Sequence, residues 1–207
     1  MYIKMLLLIN NAVTPGNPND ISFVPKIRKA LRTCNIPFYE VKKIREIPAD
    51  ISSKISGILI SGSHMRLSKP IDFESIAPIL HYLVKYNNVP VLGLCFGCQM
   101  LHMIHGGKLE DQKERSCQDY RVELSEHPLF KDVKCLKETF HQFAVCFHDL
   151  PVLFNKYSIA NFHHRGKVLP CAFEYSPNRF GMMIHPEMYV ETYPVFQNFY
   201  KICRIRE

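Results

Sequence analysis

Along the first half of the chain, short apolar runs take turns with stretches in which apolar residues recur every three or four positions. Tyr2 to Asn10 is a nearly continuous apolar run that reads as a buried strand, and a loop rich in Pro, Asn and Gly, Asn11 to Asp20, follows it. From Ile21 to Cys34 the apolar positions Phe23, Val24, Ile27, Ala30 and Leu31 fall on one face of a helix. Ile36 to Val41 and Ser56 to Ser61 are the next two strands, the second running into Gly62-Ser63-His64. Phe73 to Tyr86 is a second amphipathic helix with Ile76, Ile79, Leu80 and Leu83 inward, and Val89 to Leu94 is the fourth strand. Strands alternating with helices predict parallel βαβ units and hence an α/β fold, a mostly parallel central sheet flanked by helices. In open sheets of this kind, sites lie off the carboxyl ends of the strands.

From Lys108 the pattern changes. Tyr120 to Leu124, Thr139 to Phe147, Lys156 to Asn161, Leu169 to Tyr175 and Phe180 to Ile184 read as short strands, with turns at His127-Pro128, Asp149-Leu150-Pro151 and Ser176-Pro177-Asn178. They predict a smaller mixed β region packed beside the first half. A helix from about Val190 to Cys203, with Tyr193, Phe196, Phe199, Tyr200 and Cys203 on one face, closes the chain. No repeat, low-complexity segment or linker marks a boundary, so residues 1–207 are expected to form one domain.

A domain of 207 residues can bury a sizeable core, roughly 70% of its unfolded surface. The apolar run Met5 to Ile9 is too short to span a membrane and leads into Asn10-Asn11, not a small-residue cleavage site. The eight cysteines are therefore expected as thiols in a reducing compartment, the cytoplasm. The net charge of +7 comes from scattered Lys and Arg with modest clusters at Lys26 to Arg32, Lys42 to Arg45 and Lys201 to Arg206. Without an aromatic-interleaved basic stripe these read as solvated faces, and neither nucleic acid nor membrane is expected as a partner.

Chemistry concentrates in Asn88 to Lys108. After the strand ending at Leu94, the corner Gly93-Leu94-Cys95-Phe96-Gly97 leads into helical spacing at Met100, Leu101, Met103 and Ile104, which Gly106-Gly107 stops. Glycines two residues either side of a central nucleophile suit a sharp strand-to-helix elbow. At its apex, Cys95 would sit at a helix N-terminus, where the dipole and unpaired N–H groups favour a thiolate. A cysteine nucleophile needs a base and the base an orienting group. Ninety residues on, His185-Pro186-Glu187 places two such groups at i and i+2 of an extended segment, on the same side of it.

The elbow Gly93-Leu94-Cys95-Phe96-Gly97-Cys98-Gln99, Gly106-Gly107 and the later His185-Pro186-Glu187 resemble, in order and separation, the class I glutamine amidotransferases. The resemblance extends to Ser56 to Gly62, to His141-Gln142-Phe143-Ala144-Val145 and to the terminal helix, and within the family it is greatest to the free-standing GMP synthase branch. It implies that Cys95 attacks the side-chain amide of L-glutamine, that His185 moves the protons, and that Glu187 orients His185. It implies backbone donors for the oxyanion from Phe96 and the Gly62-Ser63 loop, and substrate contacts from Gln99, His141, Gln142 and Phe143. No cofactor or metal is expected, and the chain is expected to supply ammonia to an ATP-dependent synthetase partner chain or to act as a free glutaminase. Two departures stand out: Gly62-Ser63-His64 replaces the family's Gly-Gly-Pro or Asn-Gly-Pro, and Phe143 stands where several relatives have Asp. If Ser63 had to adopt positive φ, its side chain would strain the oxyanion loop.

Other readings explain less. Cys95-Phe96-Gly97-Cys98 is a Cys-x-x-Cys, but thioredoxin-like chemistry leaves Gln99 and His185-Pro186-Glu187 without a role. Cys135, His141, Cys146 and His148, His102 with His105, and His163 with His164 lack zinc-site spacing. A γ-glutamyl hydrolase or peptidase using the same three residues, and a catalytically weak binding relative, remain the alternatives.

Overall fold

The N-terminal apolar run becomes strand β1 (Met5–Ile9), in which only the first residue is not fully buried. The computed structural model describes residues 3–11, 23–63, 65, 67, 73–107, 109–111, 119–133, 137–139, 144–145, 157–164 and 167–205. Helix α1 (Phe23–Thr33) buries Val24, Ile27, Ala30 and Leu31 in the core, as their spacing requires. Then come β2 (Phe38–Val41), the short α2 (Ala49–Ser52), β3 (Ile55–Ile60), α3 (Phe73–Lys85), β4 (Val91–Leu94) and α4 (Phe96–Ile104). On α3 the fully buried residues include Ile79 and also Tyr82, whose hydroxyl finds partners at the loop after β2.

The C-terminal half supplies β5 (Glu110–Asp111), β6 (Asp119–Leu124), β7 (Lys137–Thr139), β8 (Ala144–Val145), β9 (Ser158–His164), β10 (Lys167–Ser176), β11 (Arg179–Met182) and α5 (Pro194–Arg204). The main sheet runs β2-β1-β3-β4-β11-β10-β9-β6-β7. Pairings from β2 to β11 are parallel and those from β11 to β7 antiparallel. The smaller β region lies beside the parallel part as its continuation within one sheet, with β5 and β8 forming a two-stranded ribbon apart. The link is β11. Residues 180–182 are buried and apolar or glycine, so this strand can sit in the sheet interior and pair on both sides. A tight turn at Pro177-Asn178 sends β10 back into it, with Asn178 in the left-handed region at φ 69° that Asn tolerates.

Other differences have local causes. Strand β10 continues past Pro170 because the register shifts there, where a missing N–H is tolerated. The closing helix begins as a 3₁₀ turn, Val190–Thr192, and becomes α-helical from Pro194, a residue suited to the first helical turn. The run Thr139 to Phe147 contains parts of β7 and β8; its remaining residues lie outside those described.

Alternation along β3 puts helices on both faces of the sheet. A Cβ on Gly57 would collide with Cys203 of α5, whereas Ile60, on the opposite side, packs against Gly97 of α4. Among the described residues no helix is long and apolar enough to cross a membrane.

Candidate active site

Strands β3, β4 and β11 are neighbours and stop at one level: Ile60 pairs with Gly93, and Leu94 with Met182. Three segments therefore leave the same edge side by side, namely Ser61-Gly62-Ser63, Cys95 and Met183 to Glu187. This adjacency brings together residues that are up to 126 positions apart.

Cys95 occupies a backbone conformation that non-glycine residues rarely adopt, φ 49° and ψ −103°. A residue held there costs on the order of 1–3 kcal/mol and persists only where its surroundings enforce it. They do so here. The Cys95 N–H donates to the Met182 carbonyl at 2.7 Å, and its carbonyl accepts from Gln99 N–H at 2.9 Å as α4 begins. The flanking glycines let the turn close: a Cβ on Gly93 would run into the Gly97 carbonyl, and one on Gly97 would lie 2.7 Å from the Ile60 carbonyl oxygen. Cys95 is half-buried, whereas Phe96, Cys98 and Gln99 behind it are buried. Cys98 packs on Gly181, and its thiol lies 3.5 Å from the Tyr175 hydroxyl.

His185 Nδ1 sits 2.7 Å from Glu187 Oε1, and Glu187 is buried at 1% exposure. Burial works against a charged imidazole, but Glu187 beside it and the Cys95 sulfur within hydrogen-bond reach together hold its pKa well above the ordinary histidine value. The backbone that carries Glu187 is held in a turn. Met188 N–H donates to the His185 carbonyl at 3.1 Å, and the buried Thr192 hydroxyl lies between the carbonyls of Pro186 and Tyr189, 2.7 Å from the latter. The structure thus brings Cys95, His185 and Glu187 into one cluster.

The loop after β3 is buried at Gly62 and Ser63. Asn11 N–H donates to Ser61 Oγ at 2.9 Å, and Asn11 Nδ2 to the Ser61 carbonyl at 3.0 Å, tying the loop to the end of β1. Ser63 is not among the positive-φ residues, which outside glycine are Asn35, Cys95, Asp132 and Asn178 among those described. Its side chain therefore imposes no left-handed strain, and its hydroxyl accepts from Met65 N–H at 3.2 Å. His64, His141, Gln142 and Phe143 lie outside the described residues.

Sequence reasoning did not single out Asn11, Thr192 or Tyr175, each of which supports a segment of this cluster. Asn11 and Tyr175 act across 50 and 77 residues, so no local spacing announces them. Among the described residues no three His, Cys, Asp or Glu side chains gather closely enough to hold a metal ion.

The chain is 24% identical over 210 residues to a subunit of the glutamine-hydrolyzing GMP synthase of Methanothermobacter thermautotrophicus, covering 97% of this chain and 98% of that one. It is 28% identical over 100 residues to a glutamine-hydrolyzing GMP synthase of Fusobacterium nucleatum, of which the match covers only 18%. A solved glutamine amidotransferase of Thermotoga maritima superposes with a TM-score of 0.65 over 97% of this chain and 84% of that one, at 20% identity, which shows the shared fold. The family model for glutamine amidotransferase class-I matches residues 18–202, and with that match the chain belongs to the class-I glutamine amidotransferases, related to the amidotransferase subunit of GMP synthase.

Proposed function

We propose that this chain is one amidotransferase unit that hydrolyses the side-chain amide of L-glutamine and supplies ammonia to a separate ATP-dependent synthetase chain of the GMP synthase type. The observation that carries this reading is the strained elbow of Cys95 beside the 2.7 Å His185–Glu187 pair. The archaeal relatives, subunits of glutamine-hydrolyzing GMP synthases, support the substrate and the separate acceptor.

In this mechanism the Cys95 thiolate attacks the carboxamide carbon. The carbonyl oxygen becomes an oxyanion that the Phe96 N–H and an N–H of the Gly62-Ser63 loop stabilise, as fixed backbone donors do where charge develops. Protonated His185 gives its proton to the departing nitrogen, so the C–N bond breaks and ammonia leaves behind a γ-glutamyl thioester. Neutral His185 then takes a proton from water, whose oxygen attacks the thioester, and glutamate and the Cys95 thiolate are released. Glu187 holds the imidazole in position and stabilises its charged form throughout. Gln99, on the first turn of α4, together with His141, Gln142 and Phe143, grips the glutamine.

The test is ammonia release from L-glutamine by the purified chain, with and without the GMP synthetase chain and ATP, beside Cys95→Ala. Release that disappears in Cys95→Ala is expected. Turnover retained without the thiol, or no release even with the synthetase chain present, overturns the reading.

A further inference from the structure

A concentration of positive charge lies between α1 and the end of β2. A cleft of about 570 Å³ is lined there by Arg28 and Arg32 of α1, Phe38 and Glu40 of β2, and Lys42, Lys43 and Arg45 of the following loop. Five cations thus face one carboxylate, and that carboxylate is already engaged. Glu40 takes a two-pronged hydrogen bond from Arg28, at 2.7 and 2.6 Å, and a third from Asn10 Nδ2 at 2.8 Å. Arg32, Lys42 and Lys43 are exposed and have no ion-pair partner among the described residues.

The loop that carries these charges is held in place. The hydroxyl of fully buried Tyr82 accepts from the Arg45 N–H at 3.1 Å and lies 3.3 Å from the Lys43 carbonyl. The Arg45 guanidinium donates to the Glu40 carbonyl and covers the Tyr39 ring at 4.9 Å. Between the lysines and Arg45, Ile44 stands half out of the surface at 50% exposure. Holding like charges together on a fixed loop is unfavourable in the isolated chain, which is the arrangement expected of a surface that meets an opposite charge.

We propose that this cleft docks an acidic segment of a partner protein, and, resting on the function proposed above, that the partner is the ammonia-accepting synthetase. Position favours this occupant. Lys42 follows β2 at the same carboxyl edge from which Cys95 emerges, three strands and about 14 Å away. A chain seated on the cleft therefore also reaches the strand edge at which Cys95 stands. A small phosphate ligand suits the cleft less well, because phosphate sites are built from backbone N–H groups at helix N-termini or glycine-rich turns. Here side chains line the site, α1 contributes its middle and C-terminal turns, and Glu40 lies in the wall.

The experiment uses the full chain and a fluorescently labelled dodeca-glutamate peptide, read by anisotropy at low and moderate salt. Lys42→Glu/Lys43→Glu is expected to weaken binding at least tenfold, while Lys85→Glu/Lys201→Glu, which reverses two exposed charges elsewhere, changes it less than twofold. Equal losses in both variants would mean that net charge alone attracts the peptide, and would overturn the proposal. Tripolyphosphate that binds the wild type more tightly than the peptide does, and that Lys42→Glu/Lys43→Glu no longer binds, would overturn it in favour of a phosphate ligand. With the GMP synthetase chain added, the Lys42→Glu/Lys43→Glu variant should need at least tenfold more partner for glutamine-dependent synthesis, with ammonium-dependent synthesis and Cys95-dependent ammonia release unchanged. An unchanged partner requirement would sink the docking assignment, whereas loss of ammonia release by the wild type would sink the function beneath it.

Discussion

At His185 opposing influences act on the imidazolium, and their balance gives the site its pH dependence. Burial disfavours the imidazolium, while Glu187 and Cys95 favour it and prevail. A histidine whose folded pKa lies above its unfolded value of about 6.5 binds its proton more tightly when folded. It adds stability that is fully present below about pH 6.5 and is lost as pH rises through the folded pKa. The Tm of the wild type should therefore fall across that window, while Glu187→Gln, which keeps a hydrogen-bonding group but removes the charge, should show a flatter profile. Thermal unfolding from pH 6 to 9.5 reads this directly, and parallel profiles would refute it. In the proposed mechanism the same substitution should lower kcat by roughly a hundredfold or more with little change in KM, since it removes support for the charged imidazole during proton transfer. Among the cysteines, burial pushes the Cys34 and Cys203 thiols up, so both are poor thiolates near neutral pH.

The elbow is shaped by the packing of α4 on β3 and β4. Gly97 is the contact point: an added methyl meets the Ile60 carbonyl at 2.7 Å and the Ile60 Cβ at 2.8 Å, and backbone in a buried parallel strand cannot withdraw cheaply. Gly97→Ala is expected to cost about 1–3 kcal/mol, the usual range for overpacking. Denaturant unfolding measures that loss. The variant should also lose ammonia release at temperatures where it remains folded, because lifting α4 from β3 moves the first turn that carries Cys95 and Gln99. Full activity in a destabilised variant would show that the elbow tolerates the shift. Behind α4, the Tyr175 hydroxyl lies 3.4 Å from both the Cys98 carbonyl and His102 Nδ1, so β10 braces the helix on its other side.

Across the fold, α5 fastens distant parts of the chain to one another. Tyr200 donates to the Lys4 carbonyl at 2.6 Å, a contact spanning 196 residues. Asn198, buried at 4% exposure, donates to the carbonyls of Leu129 and Lys131 at 3.2 and 2.6 Å, holding the turn between β6 and β7 against the helix. Asn198→Ala removes both hydrogen bonds, leaves the buried Leu129 carbonyl without this donor, and should destabilise the protein by about 1–3 kcal/mol. The site lies on the opposite edge of this framework from Asn198, so ammonia release per folded molecule should be unchanged. Denaturant unfolding beside an activity measurement checks both halves of that expectation.

Much of this protein was legible in the chain before its structure. The period of the apolar residues decides strand or helix locally, and it located β1, α1, β3, α3, β4 and α5 to within a few residues. The elbow was equally plain, because a sharp strand-to-helix turn needs glycine at Gly93 and Gly97 whatever surrounds it. Strand order was not legible. Nothing in residues 179–182 says that β11 lies between β4 and β10, since pairing across 88 positions depends on which buried edges are left to meet. That placement alone brings His185 and Glu187 to Cys95. The supports from Asn11, Thr192 and Tyr175, and the gathering of Arg28, Arg32, Lys42, Lys43 and Arg45 into one cleft, likewise came only from folding. Chemistry that resides in adjacent residues can be read along the chain, whereas chemistry that requires convergence from separate elements is decided by the tertiary structure.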